Sequence, residues 1–170
     1  LTPDDLVRRA QRGDPVALER LLDDLLPYLG RICGAIALGA GDDALQETMV
    51  AIIRNIGDLR EPAALRGWAR RIAVREAVRA ARGGRDVPVD PAELASGSGA
   101  RLAAVPDGAT AVDVRRVLDA LAPEQRAVLV LRDLDGVGEA EMAEALGVAP
   151  GTVKSRLHRA RAAFRARWTA

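Results

Sequence analysis

The residues best placed to do chemistry lie between Gly138 and Arg167, and that chemistry is electrostatic. From Ala149 to Ala170 the sequence holds Lys154, Arg156, Arg159, Arg161, Arg165 and Arg167, and no acid. Ordinary solvated helices mix both signs of charge. A one-signed basic surface instead suits phosphates and guanine edges. Catalysis finds no support: no phosphate-loop glycine pattern precedes the single lysine, and the single histidine, His158, sits in the basic run. Ser-His-Asp or Cys-His chemistry needs that imidazole in a pocket. Cys33 is the only cysteine, so an internal disulfide and a Cys/His zinc site are both excluded, and no cofactor or metal is expected.

Two short helices joined by a tight turn must carry this charge. Glu139 to Leu146 has Met142, Ala143 and Leu146 at helical spacing. Gly147 can take the left-handed conformation that ends a helix, and Pro150 suits the first turn of the next. Val153, Leu157, Ala160 and Phe164 then line one face. Ala143 lets the two helices cross closely while Val153 fills the angle between them. This is the spacing of a helix-turn-helix, whose second helix enters the major groove of DNA.

The net charge of +1 hides segregation. Residues 1–63 are acidic, 64–86 are rich in arginine, 111–148 are acidic again, and the last stretch is basic. Alternation of this kind predicts two nucleic-acid faces and at least one face for a basic partner. The pattern predicts an all-α protein of two small helical domains, 1–83 and 110–170, joined by a flexible linker over 84–109. The second domain contains the helix-turn-helix. Thr2 and Asp14-Pro15 open the first two helices, and Pro27 is expected to kink or break the second. Asp42 is read as the cap of the third, with Leu45, Met49, Ile52, Ile53 and Ile56 inward. Pro62 opens a fourth that buries Leu65, Trp68, Ala69, Ile72, Ala73 and Ala77. Its outer surface then carries Arg66, Arg70, Arg71, Arg75, Arg79 and Arg82. The linker is rich in glycine and proline, with a short turn near 91–95. Thr110 is read as the cap of the fifth helix, and Pro123 starts the sixth. No apolar run approaches a membrane span, no secretory signal is seen, and a cytoplasmic location is expected.

Four motifs in this order resemble a bacterial sigma factor of the extracytoplasmic-function group of the sigma-70 family. Asp43-Ala44-Leu45-Gln46-Glu47-Thr48 resembles the polymerase-binding helix of region 2, and Gly67-Trp68-Ala69-Arg70-Arg71-Ile72-Ala73 resembles its DNA-facing helix. Leu121-Ala122-Pro123-Glu124-Gln125-Arg126 resembles the start of region 4, and Gly151 to Arg161 its recognition helix. The resemblance implies a transcription initiation factor that binds core RNA polymerase and directs it to promoters, contacting DNA both as duplex and melted. Asp43, Gln46, Glu47 and Met49 would then contact the clamp helices of the polymerase's largest subunit. Asp58, Arg60, Arg66, Arg70, Arg71, Arg75 and Arg79 would face the minus-10 element. The Asp58–Ala63 loop would hold an extruded base, whose unstacking the pocket must offset. Arg75 and Arg79 stand where the family commonly has Asn and Asp, and aromatic residues that aid melting are sparse.

At the minus-35 element the resemblance points to Thr152, Lys154, Ser155, Arg156, His158, Arg159, Arg161 and Arg165. A bidentate arginine on guanine discriminates by roughly 1–3 kcal/mol, whereas phosphate contacts add affinity without sequence choice. Arg156 and Arg159 are the expected base readers, Arg161 and Arg165 the phosphate clamps, and His158 a surface or phosphate contact. Control by an anti-sigma factor wedged between the domains fits the same scheme. A stand-alone helix-turn-helix regulator is the alternative. Such proteins usually add a sensing or dimerising domain, and the first domain here offers an arginine helix and an acidic strip in its place.

Overall fold

The computed structural model describes residues 2–83 and 109–169. Helices α1 (Pro3–Gln11), α2 (Pro15–Ala37), α3 (Gly41–Asn55) and α4 (Leu65–Ala81) form the first domain. Helices α5 (Ala109–Asp119), α6 (Pro123–Leu129), α7 (Glu139–Leu146) and α8 (Pro150–Trp168) form the second. Among the described residues there is no strand, and no helix is long and apolar enough to cross a membrane. The linker expected at 84–109, with its turn near 91–95, lies outside the described residues except for Ala109.

Local chemistry sets the first two helix starts. Thr2 and Asp5 form a reciprocal capping box, each side chain accepting the other's backbone N–H at 3.2 Å. Asp14 accepts the amides of Val16 and Ala17, and Arg9 Nε donates to it at 2.8 Å. The Arg9 bond, followed by the Ala17 amide, holds the Asp14 carboxyl below the usual carboxylate range. Pro27 does not break α2, which runs unbroken through it. The carbonyl that loses its donor is that of Asp23, one turn earlier, and both residues are exposed. Water can satisfy that carbonyl, so the missing bond does not end the helix.

The entry to α3 also differs from expectation. Asp42 is not its cap: a tight turn over Leu38–Ala40 feeds straight into a helix beginning at Gly41, with no side-chain cap. The reason is a close approach. A Cβ on Gly41 would stand 2.9 Å from Gly34 Cα, so only glycine lets α2 and α3 meet there. The chain turns through Leu38 at φ 53°, a strained conformation for a branched side chain.

This entry rotates α3 relative to the predicted face. Ala44, Thr48, Ile52 and Ile56 are buried, Leu45 and Met49 are half-buried, and Ile53 is exposed. Thr48 is tolerated inside because its hydroxyl donates to the Ala44 carbonyl at 2.7 Å. The Cys33 thiol lies 3.7 Å from the same hydroxyl, and burial pushes its ionisation up.

Helix α4 packs on α2 and α3 and buries Ala69, Ile72, Ala73, Val74 and Ala77, with Trp68 half-buried against the core. In the second domain α5 begins at Ala109, so Thr110 lies within the helix and is not its cap. Gln125 reaches back to the Ala122 amide at 3.2 Å to help start α6. The dense apolar run Val128–Leu131 is buried and passes into a widened turn over Val130–Leu134. Gly147 ends α7 at φ 64°, and the Val148 amide donates back to the Ala143 carbonyl at 3.0 Å. Val153 is fully buried in the angle between α7 and α8. The helix-turn-helix therefore has the geometry its turn residues predict.

Candidate nucleic-acid interface

The second helix of the turn presents its charge outward. Val153, Leu157 and Ala160 face the core, which leaves Lys154, Ser155, His158, Arg159, Arg161 and Arg165 exposed, with Thr152 and Arg156 half-buried. The Ser155 hydroxyl donates to the Thr152 carbonyl at 3.0 Å, and Arg159 Nε donates to the Ser155 carbonyl at 3.3 Å. Arg161 is held by Asp133 of the widened turn, through Nε at 3.2 Å, and this hydrogen bond raises its already high pKa. Lys154 Nζ lies 3.7 Å from Glu139 at the start of α7. Thus all eight predicted minus-35 residues fall along one helix, and two of them are steadied by acids of neighbouring elements.

The predicted minus-10 residues are less uniform. The loop after α3 is anchored from behind: Gln11 Nε2 donates to the carbonyls of Ile56 at 3.0 Å and Leu59 at 2.7 Å. With Leu59 and Pro62 buried, Asp58 and Arg60 are left exposed. Arg66 lies over the ring of Tyr28, 3.8 Å from its centroid, a favourable cation–π placement. Arg75 and Arg79 both reach the buried carboxylate of Glu76, at 3.2 and 2.7 Å, and Arg79 also lies 3.8 Å from Glu47.

Arg70 departs most from expectation. It is not on an open surface but 9% exposed, beneath the second domain. Its Nη1 lies 3.6 Å from Asp135 and 3.4 Å from the Tyr28 hydroxyl, and its Nη2 lies 3.2 Å from Glu141. Burial works against its charge, but the Tyr28 bond and the two carboxylates outweigh it and raise its pKa. Arg71 pairs with Glu144 at 3.2 Å. Helix α4 thus meets acids of α7 and of the turn that precedes it. The alternation of acidic and basic segments along the chain was the available signal for this contact; nothing local to Arg70 revealed it.

Two further contacts join the domains. Arg82 bonds Glu124, and Arg126, 6% exposed, donates through Nε to the Ile36 carbonyl at 2.6 Å. Arg126 Nη1 also reaches the carbonyls of Leu118 at 3.2 Å and Leu121 at 2.9 Å. Burial lowers its pKa from the guanidinium norm.

On α3, Asp43, Gln46 and Glu47 are exposed along one side, and Met49 is half-buried against the core. Among the described residues no group of three or more His, Cys, Asp or Glu is arranged to hold a metal ion.

The family model for sigma-70 region 2 matches residues 18–86, and that for sigma-70 region 4 matches residues 111–164. The RNA polymerase sigma-H factor of Pseudomonas aeruginosa is 33% identical over 94% of this chain and 90% of its own length. The chain belongs to the sigma-70 family, in the extracytoplasmic-function (ECF) group. The ECF RNA polymerase sigma factor SigM of Mycobacterium tuberculosis is 42% identical over 71% of this chain, a match that spans only 60% of SigM. Two solved structures share the fold. CnrH in complex with the cytosolic domain of CnrY is 25% identical with a TM-score of 0.67, covering 96% of this chain and 94% of that one. The sigma factor RpoE in complex with the anti-sigma factor NepR from Bartonella quintana is 21% identical with a TM-score of 0.63, covering 89% and 96%.

Proposed function

We propose that this chain is a non-catalytic transcription initiation factor that binds core RNA polymerase and directs it to promoters. The observation that carries this reading is the presence of both sigma-70 regions, in order, with the basic helix of region 4 exposed. In this reading the first domain, 1–83, holds the polymerase through Asp43, Gln46, Glu47 and Met49. It faces the minus-10 element through Asp58, Arg60, Arg66 and the arginines of α4. The second domain, 110–170, reads the minus-35 duplex from α8, with Arg156 and Arg159 at base edges. Arg161 and Arg165 lie on phosphates, and Thr152, Lys154, Ser155 and His158 surround them. A stand-alone regulator is not favoured, because the match extends over region 2 as well as the helix-turn-helix.

Mixing purified chain with core polymerase tests the reading. The chain should co-elute with the core and confer selective initiation; transcripts no more selective than those of core alone would end the proposal. Glu47→Arg should abolish co-elution while helical content, read by circular dichroism, stays constant. Unchanged co-elution would remove α3 from the interface.

A further inference from the structure

Helix α4 carries a carboxylate where a helix that faces DNA has least use for one. Glu76 stands among its arginines yet is only 7% exposed, flanked in sequence by the buried Val74 and Ala77. We infer that Glu76 is a positioning residue for promoter choice: its carboxylate gathers Arg75 and Arg79 into one fixed pair and aims the Arg75 guanidinium at a guanine edge in the minus-10 element. This inference rests on the function proposed above, since it takes α4 as a DNA-facing surface.

Three observations support it. First, the two arginines need a negative charge between them. They stand one helical turn apart, at a spacing where like charges repel. Arg75 Nε donates to Glu76 Oε1 at 3.2 Å, and Arg79 Nη2 lies 2.7 Å from Oε2. The carboxylate needs them in return, because a buried carboxylate without cations beside it is costly. Second, the two arginines are held unequally. Arg79 also lies 3.8 Å from Glu47 of α3, so acids of two helices hold it. Arg75 pairs with Glu76 alone among the described residues, and its side chain is 68% exposed against 44% for Arg79. Arg79 is therefore the anchor, and Arg75 is the arm left to reach outward. Third, the way Arg75 is held leaves a defined set of donors. With Nε spent on Glu76, the outer edge formed by Nη1 and Nη2 remains to donate two parallel hydrogen bonds. That fork fits O6 and N7 of guanine. A phosphate clamp would gain nothing from Glu76, whose charge cancels part of the cation's. A base reader gains a fixed direction.

The experiment uses the full chain assembled with core polymerase, transcribing a promoter library randomised across the minus-10 element. Transcript yield is compared for each base at each position. The parent should favour guanine at one position, and Arg75→Ala should reduce that preference about tenfold, the effect of one bidentate arginine–guanine pair. Glu76→Gln keeps the shape and removes the charge. Released among about three rotamer wells, Arg75 should lose about threefold of the same preference. Templates with other bases at that position should lose less. The double variant Arg75→Ala/Glu76→Gln should show no further loss of preference beyond Arg75→Ala, since one residue acts through the other. A merely structural Glu76 would lower the yield equally for all four bases. Equal loss of that kind, or a parent with no guanine preference in the element, would overturn the inference. Should Glu76→Gln lose helicity by circular dichroism, Glu76→Met fills the buried position with an apolar chain of similar length, a replacement that buried ionic sites often tolerate. The same loss of preference is then expected, and its absence is equally decisive. The two proposals fail in different ways. If the parent gives no selective initiation with core polymerase, the proposed function fails and takes this inference with it. If the parent initiates selectively and the Glu76 variants keep its base preference, this inference alone falls.

Discussion

Helices α4 and α8 are both studded with arginine, yet they are solved differently by their surroundings. On α8 the basic face has no acid of its own helix to answer it, and it stays exposed beyond the Asp133 and Glu139 contacts at its flanks. On α4 four of the five arginines between Arg66 and Arg79 meet carboxylates, some from Glu76 within the helix and others from the second domain. An identical residue type therefore stands in two settings: on α8 it is open surface, and on α4 it is also part of the packing. Composition cannot separate these cases, because the difference lies in what faces the helix.

Substitution in the two helices sharpens this contrast. Arg70→Ala removes the guanidinium shared by Asp135, Glu141 and the Tyr28 hydroxyl, leaving Asp135 with the Tyr28 hydroxyl alone, and should cost about 2 kcal/mol of stability in urea unfolding. Arg159→Ala should stay within about 0.5 kcal/mol of the parent while weakening duplex binding. Equal stability in the two variants would erase the distinction between the helices.

A smaller effect concerns the reading helix alone. Arg156→Ala should reduce transcription about tenfold from a promoter with an intact minus-35 element, the loss of one base-reading contact. A promoter lacking that element should lose less, and equal loss on both templates would take Arg156 out of base reading.

The smallest expected effect lies away from both helices, in the cap of α2, and serves as their reference. Asp14 is depressed by Arg9 and the Ala17 amide, so its contribution is present above the ordinary carboxylate range and is lost as pH falls through its folded value. Asp14→Asn keeps a capping oxygen but loses the charge. Its urea midpoint should fall below the parent's at neutral pH and converge with it in acid. A gap that persists in acid would show that the charge is not what the cap uses.

What the sequence disclosed and what it withheld follow the same division. Features set within one turn were legible: the Thr2 cap, the Asp14 cap, the left-handed Gly147, and Val153 in the crossing of α7 and α8. Each is decided by atoms a few residues apart. The rotation of α3 was not legible, because it depends on Gly41 meeting Gly34 across a turn; that contact denied Asp42 its cap and left Ile53 outside. Pro27 was read by its usual effect, but the orphaned carbonyl faces solvent. Arg70 was read as surface because its partners lie far along the chain, at Asp135 and Glu141. The exposed surface of α8 was legible, since all eight predicted residues lie off its buried apolar stripe. That of α4 was only partly legible, where charge alone did not say which arginines were already answered.

The phenol of Tyr28 has a practical consequence. It is the only tyrosine in the chain, and both burial and its bond to Asp135 raise its pKa above the usual phenolic value. Moving the domains apart removes that carboxylate and wets the ring, so the alkaline absorbance transition should slide toward lower pH. The protein thus carries its own unlabelled gauge of whether its halves are touching, readable in a cuvette.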